Sequence, residues 1–553
     1  MTPDLPVDTL DGLVRASARH HAGRPAVSER RRALTYGELD ALIDEVAAGL
    51  LALGLPAGAR VGVYLPKQIE TVAALFGAAR AGGVFVPLNP VLKARQVAHI
   101  LADCTVHVLV TSRQRWEGLR AADALPATLA HVVLVDHDDV PGTLAWADLR
   151  RGGGQTFPST AEGMVSLSAS TDGADGVAAI LYTSGSTGRP KGVVLSHRNL
   201  LTGALSVATY LGNTAADRLL AVLPLSFDYG LSQLTTAFLV GAEVVLLDYL
   251  LAADVPRAVE RHRITGLAGV PPLWTQLADA PWSEAARNSL RYFTNSGGRM
   301  PRPLLDRLRA LFPGARPFLM YGLTEAFRST YLDPALVDTR PESIGKAIPF
   351  AEVLVVRADG SEAAPDEPGE LVHTGPLVAQ GYWGDPERTA QRFRPAPACA
   401  RLAAPGEPAV WSGDTVRRDA DGFLYFVGRL DEMIKTSGYR VSPTEVEEAL
   451  YASGLVREAA AYGIADDRLG QAIVVAAVPA AGDVVAAVPS DDGSGPTDAL
   501  LGYCRRELPA YMVPQQVIWR DDLPRNANGK LDRVAIAAGH PAAPAPTSAG
   551  DPE

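Results

Sequence analysis

Cysteine is scarce: Cys104, Cys399 and Cys504 are the only three in 553 residues, odd in number and far apart. Neither a disulfide framework nor a Cys-rich zinc site can be built from that set, which suits a reducing compartment. Long apolar runs are missing too. The greasiest stretch, 237–251, is cut by Glu243 and Asp248 and is too short to span a bilayer. The N-terminal MTPDLPVDTLDGLVRASARHH has acids early and no continuous apolar core, so it does not read as a secretory signal. Positive charge is in deficit, with 51 Lys and Arg against 62 Asp and Glu, and the formal net charge of -11 argues against a nonspecific nucleic-acid binder. The expectation is a cytoplasmic protein with no membrane and no nucleic-acid partner, long enough for two or more domains.

What is present is concentrated in one stretch, YTSGSTGRPKGVVLSHRN at 182–199. Apolar runs at 177–181 and 192–195 flank Thr183, Ser184, Gly185, Ser186, Thr187, Gly188 and Lys191, with no large apolar side chain among these. The pattern predicts strand, hydroxyl-rich loop, strand. Glycines let the backbone approach a ligand, hydroxyls and N–H groups donate hydrogen bonds, and a lysine adds positive charge, which together describe a phosphate cradle. The P-loop is excluded by spacing. Its Gly-Lys-Ser/Thr must begin five residues after the first glycine, where Gly185 leads to Pro190 and Gly188 to Val193.

Before this loop, helix and strand patterns alternate in the doubly wound manner. Thr35 and Glu38 have capping-box spacing ahead of Leu39, Ile43, Val46 and Leu50, and a strand is expected from Arg60 to Leu65. Helices are expected at 69–81 and 92–103, a strand at 83–88, and after the loop a helix capped by Ser196 with His197 as a first-turn polar residue. Further strands are expected at 219–225 and 243–247 and helices at 301–312 and 389–393. From about Val353, short apolar runs separated by Gly360, Pro365, Asp366 and Pro368 suggest a β-rich subdomain. After Arg429 the pattern of helix, strand and helix is enough for a small α+β domain.

Several motifs then fall in one order: Tyr321-Gly322-Leu323-Thr324-Glu325, Ser412-Gly413-Asp414, Gly428-Arg429-Leu430-Asp431, Lys435-Thr436-Ser437-Gly438-Tyr439-Arg440 and Asn528-Gly529-Lys530. With the 182–199 loop they resemble the adenylate-forming superfamily of acyl-CoA synthetases, luciferases and amino-acid adenylation enzymes, from about Leu34 to Arg533. The resemblance implies an α/β fold: a large AMP-binding domain at 1–430, made of doubly wound subdomains plus the β-rich one, then a mobile α+β domain at 431–535. Residues 536–553 are expected to be a disordered tail.

It also implies chemistry. A carboxylate attacks the α-phosphate of ATP, pyrophosphate leaves, and a phosphopantetheine thiol takes the acyl group. The 183–191 residues would hold the departing phosphates, Thr324 the α-phosphate, and Glu325 a magnesium ion, which prefers oxygen ligands. Asp414 would accept the ribose hydroxyls, with Arg429 in support. Ser296, Gly297, Gly298 and Tyr321 would line the adenine and acyl pocket, although Arg299 follows where many relatives have a small residue. Lys530 would bridge carboxylate and α-phosphate from the mobile domain. Asp431 matches the hinge, and Gly438 the strand facing the thiol tunnel.

Substrate choice is read at Phe227-Asp228. Simple acyl-CoA synthetases of the superfamily commonly carry His and an apolar residue there, whereas amino-acid enzymes carry Phe-Asp, the Asp pairing with the substrate ammonium. Asp228 points to an amino acid unless it merely caps a helix, and Gly230 departs from the Ser usual in adenylation domains. Arg328 would reach a second acidic group or brace its loop. The acceptor expected with an amino acid is a separate acyl carrier protein, which Arg505 and Arg506 would meet; the alternatives are an amine-free acid with free coenzyme A, and an inactive nucleotide-binding homologue.

Overall fold

The computed structural model describes residues 4–540 except 93, 122–124, 153–172, 184–189, 405, 430–432, 437–438, 467–468, 481–494, 509 and 527–528, with the side chains of 429, 435, 439, 440 and 470 also left undescribed. Two compact units result, Met1–Phe426 and Val427–Glu553.

In the larger unit, apolar runs become strands buried on both faces, as parallel sheets covered by helices require. An eight-stranded sheet is ordered Gly381–Tyr382, Lys191–Ser196, Val177–Thr183, Val84–Pro87, Arg60–Tyr64, Val106–Thr111, His131–Leu134 and Leu144–Ala145. It is parallel from Val177–Thr183 outward and antiparallel at the end that carries the Ser/Gly loop. Helix Tyr36–Ala52 begins at the expected capping box: the Thr35 side chain accepts from the Glu38 N–H, and Glu38 returns the bond to Thr35. Helix His197–Leu211 starts in the same way at Ser196 and Asn199, and its buried His197 accepts from the Leu10 N–H at Nδ1.

A second, 14-stranded sheet has a parallel half containing Glu243–Leu246, Arg218–Ala221, Gly266–Gly269, Tyr292–Asn295 and Arg316–Gly322. The chain then turns back antiparallel through Arg328–Leu332 and Ser343–Ala347. The β-rich part expected from Val353 continues this same hydrogen-bonded path, as Leu424–Arg429, Pro408–Arg418, Gly369–Thr374 and Glu352–Val356, rather than standing apart. The strand expected at 219–225 stops at Ala221, because Pro224 has no N–H to give to a ladder. Helix Gly12–His21 and the hairpin Pro25–Glu29 with Arg32–Thr35, which no sequence pattern marked, close the N-terminal side of the core.

The smaller unit pairs Val456–Asp466 antiparallel with Gly470–Pro479, adds Gln516–Trp519 in parallel, and packs helices Pro443–Ala452 and Pro496–Glu507 around its own apolar core. The disordered tail expected from 536 is corrected at its start: helix Arg533–Ala538 buries Ile536 against Tyr462 and Val474, because an apolar side chain there completes a second small core. Residues 541–553 lie outside the described residues.

Candidate active site

Strands Val177–Thr183 and Lys191–Ser196 pair with Thr183 opposite Lys191, so both ends of the Ser/Gly loop are clamped together. Ser184, Gly185, Ser186, Thr187 and Gly188 lie outside the described residues. At the mouth of the loop, Thr183 Oγ1 is buried and has no hydrogen-bond partner among the described residues.

The short strand Gly381–Tyr382 adds to the same edge, with Tyr382 opposite Val193, and this register carries the phenol to Lys191. Lys191 Nζ donates to Glu325 Oε1 at 2.9 Å and to the Tyr382 hydroxyl at 2.6 Å, and that hydroxyl donates to Glu325 Oε1 at 2.6 Å. Glu325 is buried. Burial alone would push its carboxyl up, but the Lys191 and Arg392 charges and the bonds from Tyr382 and Lys191 outweigh it and hold the group at about 2.

Thr324–Ala326 form a single tight turn, closed by the Leu323 N–H donating to the Phe327 carbonyl at 2.9 Å. Phe327 then takes φ +56°, a region that side chains disfavour. What holds it there is packing: the ring fills the space over Gly203, where a β-carbon would come within 2.7 Å of it. The turn is therefore fixed from behind by helix His197–Leu211.

A second cluster draws on three strands of the 14-stranded sheet, Arg316–Gly322, Gly369–Thr374 and Pro408–Arg418, of which only the last two are adjacent. The Tyr321 hydroxyl donates to Asp414 Oδ2, and Asp414 is buried next to Gly413, which takes φ +68° and donates its N–H to Glu370. The His373 ring lies nearly parallel to Tyr321, 6.3 Å away. Arg392 joins the clusters: Nη1 sits 3.2 Å from where a β-carbon on Gly413 would be, and its charge acts on both Glu325 and His373. On the strand paired with that of Tyr321, Asn295 Nδ2 donates to the Gly298 carbonyl at 2.9 Å, closing the Ser296-Gly297-Gly298 loop, with Gly297 at φ +79° and Gly298 against Pro271.

On the helix Asp228–Val240 the cap position is Phe227, and no side-chain cap bond forms, so Asp228 is the buried first residue and not the cap. Thr324 Oγ1 reaches its Oδ1 at 3.5 Å. Arg328, at the start of the strand Arg328–Leu332, is buried against the same helix and donates to Ser232 Oγ and to the Tyr229 carbonyl. In the smaller unit, Lys530 closes a turn in which its carbonyl accepts from the Asn526 N–H at 2.8 Å and its N–H donates to Asn526 Oδ1. Asp431, Gly438 and the Arg429 side chain lie outside the described residues.

The structure thus brings Thr183, Lys191, Thr324 and Glu325 into one group and Tyr321 and Asp414 into another, and it sets Arg328 against the helix that Asp228 begins. Sequence reasoning missed Tyr382, Arg392 and His373. No local periodicity marks them: Tyr382 and His373 owe their places to strand pairing across a long sequence separation, and Arg392 ends the short helix Pro386–Arg392; Gly381-Tyr382-Trp383, a glycine with two adjacent aromatics, was a signal for the first.

Among the described residues no helix is long and apolar enough to cross a membrane, and no group of three or more His, Cys, Asp or Glu could hold a metal ion. A family model for AMP-binding enzymes matches residues 14–383, and a model for the AMP-binding enzyme C-terminal domain matches 445–530. The chain is 33% identical over 527 residues to a feruloyl-CoA synthase of Amycolatopsis sp, covering 94% of this chain and 96% of that protein. It is 30% identical over 515 residues to a linear gramicidin synthase of Brevibacillus parabrevis, covering 92% of this chain but only 9% of that much longer protein. Among solved structures, the anthranilate CoA ligase AuaEII in complex with anthranoyl-AMP superposes with a TM-score of 0.83 at 25% identity, covering 97% of this chain and 98% of that one. Two family models in the right order, over a fold with the same two parts, leave one assignment: the chain belongs to the AMP-binding enzyme family and is an AMP-forming ligase of the adenylate-forming superfamily.

Proposed function

We propose that the protein activates a carboxylic acid with ATP, giving an acyl adenylate and pyrophosphate, and then passes the acyl group to the thiol of coenzyme A. The observation that carries the first half is the Lys191–Glu325–Tyr382 cluster at the mouth of a hydroxyl-rich loop. Two anions have to be aligned and their charge offset, and a lysine ammonium, hydroxyls and backbone N–H groups are suited to that work. Thr183, Ser184, Ser186, Thr187 and Lys191 would hold the β- and γ-phosphates, with Gly185 and Gly188 allowing close approach. Thr324 would donate to the α-phosphate. Asp414, already bonded to Tyr321, would take the ribose hydroxyls, with Tyr321 and Gly297 against the adenine.

Magnesium fits beside Glu325, which is ionised, buried and countered by two cations. With no cluster of protein ligands among the described residues, the ion would be held by this carboxylate together with phosphate and water oxygens, as magnesium commonly is. When bound, it would offset phosphate charge. Lys530 would stabilise charge between the acid and the α-phosphate, Asp431 would act as hinge, and Gly438 would leave room for the thiol.

Coenzyme A as acceptor is supported by the relative matched over 96% of its length, a feruloyl-CoA synthase, whereas the chain spans 9% of the linear gramicidin synthase. An amino acid passed to a carrier protein is the second reading. It is favoured by Asp228, a buried carboxylate at the first position of its helix with the Thr324 hydroxyl beside it.

The test is ATP–pyrophosphate exchange with a panel of acids, followed by coenzyme A consumption against mass gain on a holo carrier protein. Acid-dependent exchange with coenzyme A consumed is expected. ATP binding with no exchange by any acid would overturn adenylation; exchange restricted to amino acids and lost in Asp228→Ala would move the assignment to the second reading.

A further inference from the structure

Two arginines stand among the largest fully buried side chains, Arg80 and Arg328. Arg80 meets three aspartates, Asp11, Asp40 and Asp44. Arg328 is not ion-paired with any carboxylate among the described residues. Its partners are the Ser232 hydroxyl at 2.8 Å, the Tyr229 carbonyl at 3.4 Å, and the faces of Tyr229 and Phe327, each ring centroid 4.7 Å away. Its Nε, buried like the rest, has no hydrogen-bond partner among the described residues. Removing a guanidinium from water is costly unless an anion compensates, and aromatic faces and neutral oxygens compensate only in part.

The position of this charge gives it meaning. Asp228 and Ser232 are one helical turn apart on one face of the helix Asp228–Val240. Thr324 meets the first and Arg328 meets the second, so the loop and the helix face each other at two levels about 6 Å apart. The upper level is where the reacting carboxylate would sit under the proposed function. The lower level ends in a cation with a donor to spare.

We infer that the acid substrate carries a second carboxylate, separated from the reacting one by a short spacer, and that this group pairs with Arg328. The inference rests on the adenylation reading and narrows its substrate class. Ser232 and the Tyr229 carbonyl hold the guanidinium plane, leaving the Nε side for the incoming carboxylate, whose charge offsets that of the guanidinium.

The experiment is ATP–pyrophosphate exchange by the full chain with malonate, succinate, glutarate, adipate, aspartate and glutamate. Counterparts with a single carboxylate (propionate, butyrate, valerate, hexanoate, alanine and glutamine), together with ferulate and anthranilate, form the comparison set. A diacid should exceed its single-carboxylate counterpart in kcat/KM by about 100-fold or more, because a site built around a charge is left unpaired by the neutral analogue. Arg328→Met should raise KM for that diacid by about 100-fold with kcat little changed, and Arg328→Lys should recover part of the loss. Exchange with single-carboxylate acids equal to or better than with any diacid overturns the inference while leaving adenylation standing. Absence of exchange with every acid overturns both. Should Arg328→Met fail to fold, the wild-type ratio of diacid to monoacid decides alone.

Discussion

Arg392 acts on two neighbours, adding to the Lys191 charge that keeps Glu325 ionised and to the burial that keeps His373 neutral. Glu325 stays ionised beside it, whereas His373, buried with both ring nitrogens lacking partners among the described residues, is held neutral: burial first, then the Arg392 charge, bring its pKa down to about 3 against a weaker pull from Glu325. The folded-state pKa of His373 lies below that of the unfolded chain. Between about pH 6.5 and 3 the unfolded chain therefore takes up a proton that the folded one refuses, and stability falls as pH falls through that window, by at most about 1.4 kcal/mol per pH unit. His373→Phe keeps an aromatic ring beside Tyr321 and removes the titration. Urea unfolding of the two proteins should give free energies that draw apart as pH is lowered from neutral to about 4.5, with the variant relatively more stable in acid. A difference that does not change with pH would show that His373 is not kept neutral by the fold.

At the scale of elements, the helix that begins with Asp228 is set by a glycine. A β-carbon on Gly230 would stand 2.0 Å from the Pro224 carbonyl oxygen, so the turn 224–227 and the helix can cross only because that side chain is missing. This accounts for the Gly230 noted in the sequence as unlike the serine of common adenylation domains: the backbone passes too close for any larger residue. Gly230→Ala should lower stability by about 1–3 kcal/mol through overpacking, and should raise KM for the acid because Asp228 and Ser232 move with the helix. Thermal unfolding and exchange kinetics read the two effects. An alanine variant with unchanged melting and unchanged KM would contradict the close crossing.

The same scale explains what the sequence made visible. Helices with caps and a clear period, such as Tyr36–Ala52 and His197–Leu211, were legible within a residue or two because their signals are local. Thr324, Glu325 and Asp414 were singled out through the resemblance of the motifs that carry them, and the fold adds that all three are buried. Tyr382, Arg392 and His373 were not, since what makes them matter is the register of Gly381–Tyr382 on Lys191–Ser196 and the folding of a long β segment across Tyr321. Arg328 was legible as a residue but not as a buried charge without a carboxylate, because burial is decided by helices His197–Leu211 and Asp228–Val240 together.

For the molecule as a whole, each unit has its own core: among the described residues, the apolar clusters of Val427–Glu553 draw only on that unit, with Val446, Ile473, Leu500 and Ile536 among them. The proposed machinery is divided too, with Thr183, Lys191, Thr324, Glu325 and Asp414 in the larger unit and Arg429 and Lys530 in the smaller. Lys530 follows Gly529 at φ +79°, its carbonyl accepts from the Asn526 N–H and its N–H donates to Asn526 Oδ1, bonds that the main chain of an alanine keeps. Lys530→Ala should therefore leave both cores intact and leave ATP able to bind, while removing the charge proposed to act in the adenylation step. The expected result is exchange reduced by about 100-fold or more, with the rise in melting temperature produced by ATP retained. Loss of both together would mean that the lysine serves nucleotide binding or folding instead, and unchanged exchange would remove it from the reaction.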